Sequence, residues 1–118
     1  MKAIIGATTV MLALVSCVGC CKDETIQRVA SPSKTHHVRV SYRDCGATTS
    51  EYTHVDLRSQ WSMEETIFSA RYEQRIELEW ITDSELTIHC YSCKTEDIRH
   101  QISKLGPIRI NYEFVPHR

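Results

Sequence analysis

The stretch His36–Asp44, HHVRVSYRD, decides the fold class of this chain. Val38, Val40 and Tyr42 alternate in it with charged or hydroxyl side chains, so every second residue is apolar or aromatic. Such alternation indicates a β-strand with one face in a core and the other in water, which is typical of antiparallel sheets. The stretch therefore predicts a strand with one buried face.

The same period of two recurs along the rest of the chain. Its apolar phases are Thr53, Val55 and Leu57; Ile76, Leu78 and Trp80; Leu86, Ile88 and Cys90; and Ile108, Ile110, Tyr112 and Phe114. Thr66–Tyr72 adds a further strand, with Phe68, Ala70 and Tyr72 in phase, and Thr82–Ser84 is predicted to be a hairpin turn. The predicted fold class is mainly β, as a small antiparallel sheet or sandwich-like domain.

One segment has a different spacing. TEDIRHQISKLG places Ile98, Ile102 and Leu105 four and three residues apart, with Thr95 as a candidate cap. This spacing predicts one short helix within 95–105, and a structured loop is the alternative.

The N-terminus has the features of an export signal. Lys2 gives it a positive start, and Ala3–Val15 is an apolar run interrupted only by Gly6 and two threonines. Its length suits a signal peptide and falls short of the about 20 residues that a transmembrane helix needs. The run ends in Leu14-Val15-Ser16-Cys17, which resembles the lipobox of bacterial lipoproteins. In that family the cysteine receives a diacylglycerol thioether, the signal is cut before it, and the new amine is acylated.

The resemblance predicts a lipoprotein signal peptide (1–16) followed by a lipidated N-terminus. The segment with Ser31-Pro32-Ser33 is interpreted as a tether, so that the lipidated N-terminus and tether cover 17–35, and the alternating strands form a single β-rich domain (36–118). Cys17 is the predicted lipidation site. Cys20 is the alternative, because cleavage before it leaves an even set of cysteines beside the lipidated one. An uncleaved anchor and an ordinary secretory signal are the other interpretations of the N-terminus.

The cysteine content agrees with export. Six cysteines in 118 residues are many for a cytosolic protein, and in an oxidising compartment they pair as disulfides. We predict that Cys45 pairs with Cys21 or Cys20 and that Cys90 pairs with Cys93.

The alternative function is a thiol-dependent enzyme or a redox protein. Cys45 with His54 would form a nucleophile and base, and Cys90 with Cys93 would form a redox or zinc pair. His54 falls on the polar phase of its strand, however, and no βαβ pattern surrounds the CYSC pair. The sequence therefore predicts no catalytic residue, no metal site and no cofactor.

The stretch RDCGATTSEYTHV resembles a family of small uncharacterised bacterial exported proteins, many of them lipoproteins. The motif is carried by Arg43, Asp44, Cys45, Gly46, Ala47, Thr48 and Thr49. The resemblance is specific from about Cys20 to Leu57, and the CYSC pair is additional to it. It implies a fold and a location rather than a reaction.

Charge excludes one class of partner. The chain has 14 Lys and Arg against 15 Asp and Glu, mixed along its length, so no basic stripe is available for nucleic acid. The expected partners are the membrane, through the lipid, and an unknown envelope protein. Val18, rather than an aspartate, follows Cys17 and favours the outer membrane where the host has one. The predicted function is a membrane-anchored lipoprotein outside the cytoplasm, with a binding or structural role in the envelope and no catalysis.

Overall fold

The computed structural model of this chain describes residues 21–46, 51–60 and 62–115. Within these ranges the chain forms nine β-strands: β1 (Lys22–Ala30), β2 (His36–Asp44), β3 (Tyr52–Ser59), β4 (Glu65–Arg71), β5 (Ile76–Thr82), β6 (Glu85–Cys90), β7 (Ile98–Gln101), β8 (Lys104–Leu105) and β9 (Ile108–Phe114). The prediction of a mainly β domain is confirmed.

The strands form two sheets. The first sheet has the order β1-β2-β3-β4-β7 and is antiparallel throughout, and the second has the order β5-β6-β9-β8. In the second sheet β6 and β9 run parallel. This is possible because the connection between them is long and includes β7, which pairs with β4 at the edge of the first sheet. The chain therefore crosses between the sheets more than once, and the two sheets are not formed by consecutive halves of the chain.

One hydrophobic core lies between the sheets. Its buried residues come from both: Val38, Val40, Val55, Leu57, Ile67, Phe68, Ala70, Ile76, Leu86, Ile88, Cys90, Ile108 and Ile110. The side chains predicted to face inward in β2, β3, β6 and β9 therefore lie on the side of each strand that faces the core. In β4 the prediction is right for the strand but wrong for Tyr72, which lies beyond the strand end with a positive φ of 69° and is half exposed.

The prediction of a tether at 17–35 is wrong where the structure describes this segment, because most of it is a strand. Residues Lys22–Ala30 form β1, which pairs with β2 from Lys22 opposite Asp44 to Ala30 opposite His37. The strand has a bulge at Ile26 and is mostly exposed, since it is held by backbone hydrogen bonds and not by an apolar face. Sequence periodicity does not detect such a strand, because only burial produces the alternation.

The helix predicted within 95–105 is also wrong. Thr95–Asp97 is a single 3₁₀ turn whose N-cap is Lys94, without a side-chain cap bond. The chain then extends as β7, which pairs with β4, and as β8, which pairs with β9. The open edges of the two sheets supply backbone partners here, and these outweigh the local helical spacing.

The hairpin turn predicted at Thr82–Ser84 is confirmed, since β5 ends at Thr82 and β6 begins at Glu85. The turn is tied to the β1–β2 connection, because the backbone N–H and the hydroxyl of Ser33 both donate to Asp83 Oδ1 at 2.8 Å. This end of the first sheet, where β1 ends and β2 begins, is called the turn end below. The opposite end, where β1 begins and β2 ends, is called the disulfide end because Cys21 and Cys45 are bonded there.

Candidate functional site

The face of the first sheet that points away from the second, here the outer face, is polar and rich in arginine. The register places Arg28 of β1 opposite Arg39 of β2, and Arg39 opposite Asp56 of β3. One row towards the turn end, His37 lies opposite Arg58. Cationic side chains of three neighbouring strands are thereby brought together.

Arg39 is the fixed member of this group. Its Nη2 donates to Asp56 Oδ2 and to Glu64 Oε1, both at 3.0 Å, and Thr66 donates to the other oxygen of Asp56 at 2.6 Å. Desolvation lowers the pKa of Arg39, but the hydrogen bond to Asp56 and the charges of Glu64 and Asp56 outweigh it and raise the pKa above its ordinary value. Arg39 is therefore a permanently charged and well-positioned cation.

A groove opens above Arg39 at the turn end. It consists of two adjoining volumes of about 460 and 590 Å³, which share Arg28, Arg39, Arg58, Gln60 and Glu64. Lys34 and His37 complete the basic lining of the first volume. These seven residues define the arginine groove. Its lining contains four Lys and Arg side chains against one carboxylate, in a chain whose formal net charge is −1.

The cations of the arginine groove are unequally paired. Among the described residues, no carboxylate lies within ion-pair distance of Arg28, Lys34 or Arg58, whereas Arg39 has two. Guanidinium groups pair with carboxylate or phosphate oxygens in a bidentate manner. The arrangement suits the binding of an anion.

The thiol site considered as the alternative, Cys45 with His54, does not form. Cys45 is bonded to Cys21, one of its two predicted partners, and a disulfide sulfur is not the thiolate that nucleophilic catalysis requires. His54 lies on β3 opposite Ser41 of β2, with its ring 6.1 Å from that of Tyr52. The arrangement does not bring a nucleophile and a base together.

His54 provides a pH test of the fold. Burial lowers its pKa below the ordinary 6.5, and the effect of nearby Asp56 opposes this only in part. The unfolded chain therefore binds more protons than the folded one below pH 6.5, so protonation favours unfolding there. We expect the free energy of unfolding to fall as the pH drops through 6.5 and to level off above it.

The measurement is the urea midpoint of unfolding at several pH values between about 5 and 8. In His54→Gln the midpoint should lose part of this slope, while His37→Gln, at an exposed position of β2, serves as the histidine control. An unchanged slope in His54→Gln would contradict the assignment.

Cys90 and Cys93 are bonded to each other and close the turn after β6. Cys90 is fully buried in the core, and Ser92 between them donates to Gln74 Oε1 at 2.7 Å. The hydroxyl of Ser92 also accepts the backbone N–H of Arg75 at 2.9 Å. The pair lies at a strand end rather than at a helix N-terminus, where a redox CxxC is activated.

The motif RDCGATT is described only in its first part. Arg43 forms an ion pair of 3.4 Å with Asp23 of β1, and the N–H of Gly46 donates to Asp44 Oδ1 at 3.0 Å. Gly46 has a φ of 105°, which favours glycine. The motif residues Ala47, Thr48 and Thr49 and the lipidation candidates Cys17 and Cys20 lie outside the described residues.

Sequence reasoning missed the arginine groove. Arg28 falls in the segment interpreted as a tether, so no strand was expected to bring it beside Arg39. Arg39 and Arg58 lie on the polar phase of strands that were predicted, but their proximity depends on the register between β2 and β3. The polar phase was the available signal, and it does not indicate which strands are neighbours.

Two further findings concern the described residues alone. No helix in them is long and apolar enough to cross a membrane. No three of their histidine, cysteine, aspartate or glutamate side chains are grouped so that they could hold a metal ion.

Comparison with known proteins identifies a family without assigning an activity. Neither the curated proteins nor the solved structures contain a match to this chain. The model of a family of unknown function, DUF5412, matches residues 1–102, which is most of the sequence. The chain therefore belongs to the family of unknown function DUF5412.

Proposed function

We propose that this protein is a lipid-anchored binding domain of the cell envelope that performs no chemical step. The lipid would be attached at Cys17, with Cys20 as the alternative, and the folded domain would lie outside the cytoplasm. The two disulfides support the location, because they indicate an oxidising compartment.

The observation that carries the proposal is the position of the Cys21–Cys45 disulfide. It begins the described fold four residues after Cys17, a distance that an extended chain spans in at most about 14 Å. A lipid on Cys17 would therefore hold the disulfide end close to the bilayer surface. Two or more acyl chains are needed for durable anchoring, and lipoprotein processing supplies them.

The same geometry determines which way the arginine groove would face in an anchored protein. The arginine groove is at the turn end, and the nine-residue strand β1 separates the two ends by about 30 Å. In an anchored protein the groove would point away from its own membrane, towards the rest of the envelope. With Val18 after Cys17, the outer membrane is the favoured attachment where the host has one.

The test is mass spectrometry of the protein extracted from membranes and alkylated before and after reduction. We expect a diacylglycerol and an N-acyl chain on Cys17, with Cys45 linked to Cys21. Cys17→Ala and Cys20→Ala, expressed separately, are the matched variants, and only Cys17→Ala should leave the membrane fraction. An N-terminus without lipid on either cysteine would refute the anchor.

A further inference from the structure

We infer that the arginine groove is a binding site for phosphate groups carried by a larger component of the envelope. The inference rests on the binding role proposed above and does not depend on the lipid anchor. Arg28 and Arg58 are assigned the direct contacts, and Arg39 is assigned to position the charge between them.

The first argument is the uncompensated like charge. Arg28 lies directly opposite Arg39 on the neighbouring strand, an arrangement that destabilises a sheet unless an anion compensates it. Asp56 and Glu64 compensate Arg39 alone, and both bind its Nη2. No described carboxylate lies within ion-pair distance of Arg28 or Arg58. A bound anion would fulfil that role.

The second argument is the position of Arg28 and Arg58. They extend from β1 and β3, the two strands that flank β2, and both line each of the adjoining volumes of the groove. Their strands are about 10 Å apart, and their positions are displaced by one row of about 7 Å along the sheet. Two long guanidinium side chains can close on one oxyanion across such a space, because each presents a planar pair of donors.

The third argument distinguishes phosphate-bearing material from a protein partner. Protein interfaces are built around apolar and aromatic anchors that fill pockets at their centre. Among the described residues, no Phe, Tyr or Trp side chain lines the arginine groove. The strongly exposed Met63 lines only the second of its volumes. Its size exceeds that of one phosphate ion, so a component that presents several phosphate groups fits it better than the free ion.

The experiment is a calorimetric titration of the full chain in a neutral detergent, at low and at physiological salt. The probes are a linear polyphosphate, inorganic phosphate, poly-L-glutamate, and glycerophosphoglycerol, the water-soluble headgroup of phosphatidylglycerol. We expect polyphosphate to bind more tightly than inorganic phosphate and much more tightly than poly-L-glutamate. Equal binding of polyphosphate and inorganic phosphate, per phosphate, would support the site and assign it to the free ion. Preferred binding of glycerophosphoglycerol would also support a phosphate site, with a lipid headgroup as the source.

The variants separate a specific site from general charge. Arg28→Gln with Arg58→Gln should weaken polyphosphate binding by about tenfold or more, since each charge-assisted contact is a strong one. Arg99→Gln with Arg109→Gln removes the same charge from exposed positions outside the groove and should weaken binding less than about twofold. Arg28→Lys with Arg58→Lys keeps the charge but removes the planar donor pairs, so intermediate affinity is expected. The urea midpoint of each variant verifies that it is folded.

Three results would overturn the inference: no binding of any phosphate probe, equal weakening in the two glutamine variants, or tighter binding of poly-L-glutamate than of polyphosphate. The last result would point to an acidic segment of a protein partner. A chain without lipid that binds polyphosphate would refute only the anchor. A lipidated chain that binds no phosphate would refute only the groove.

Discussion

Phe68→Ala is expected to lower the free energy of unfolding by about 4 kcal/mol, because it removes a large, fully buried ring from the only core that the described residues form. Phe68 belongs to β4 in the first sheet. Its ring centroid lies 5.7 Å from that of Tyr112 and 6.3 Å from that of Phe114, both on β9 of the second sheet. The residue therefore connects the two sheets.

Urea unfolding followed by circular dichroism measures this loss. Since domains of this size have a total stability of about 5–15 kcal/mol, the variant should unfold at a much lower urea concentration. Met63→Ala is the control, because its side chain is 87% exposed and its loss should change stability by less than about 0.5 kcal/mol. A loss below about 1 kcal/mol for Phe68→Ala would mean that the sheets do not share one core.

Removal of the Cys21–Cys45 disulfide is the second large effect. In the chain-entropy model, a cross-link over a sequence separation of 24 residues stabilises the fold by about 3 kcal/mol, because it restricts the unfolded chain. The double variant Cys21→Ser, Cys45→Ser should be less stable by that amount. The strand β1 should be affected most, since few of its side chains are buried and the bond anchors its first residues to the end of β2.

Cys90→Ser with Cys93→Ser provides the comparison. This cross-link spans a separation of only three residues, for which the same model gives about 1.5 kcal/mol. Burial of Cys90 adds a packing cost to that variant, so its measured loss is an upper limit for the cross-link itself. A loss far below about 3 kcal/mol for the Cys21–Cys45 variant would contradict the assigned role of the longer cross-link. Hydrogen exchange of the β1 amides, expected to accelerate in the first variant only, locates the effect.

The Cys21–Cys45 disulfide and the hydrogen bonds between Ser33 and Asp83 explain how the candidate site is held. The Cys21–Cys45 bond secures β1 at one end of the first sheet, and β1 carries Arg28 towards the other end. At the turn end, Ser33 is bound to Asp83 of the second sheet, so the connection that carries Lys34 is also fixed. Strands and the secured turn therefore supply most of the lining of the groove, and the β3–β4 connection supplies Gln60 and Glu64. Rigid placement reduces the entropy lost when a ligand binds.

The alternation of β2, β3, β6 and β9 made the fold class predictable. Residues such as Val38 and Ile110 occupy the inward phase because one face of each strand is buried, and burial of one face produces a period of two in the sequence. The same reasoning failed for a strand that is mostly exposed and for a strand that forms because a neighbouring edge is open to it. β1 is largely exposed, and β7 forms because the edge of β4 is open to it.

The sequence by itself therefore determined the β class, the inward side chains of the central strands, the hairpin at Thr82–Ser84 and the candidate partners of each cysteine. Tertiary structure alone decided the division into two sheets, the parallel pairing of β6 with β9, the choice of Cys21 for Cys45, and the arginine groove. The physical reason is that hydrophobic period reports the burial of each strand separately. Which strands are neighbours, and in which register, depends on backbone hydrogen bonds between segments that are distant in the sequence. These bonds are compatible with most side chains, so the side-chain pattern does not reveal them. Arg28, Arg39 and Arg58 are ordinary polar residues along the chain, and they become one site only where three strands meet.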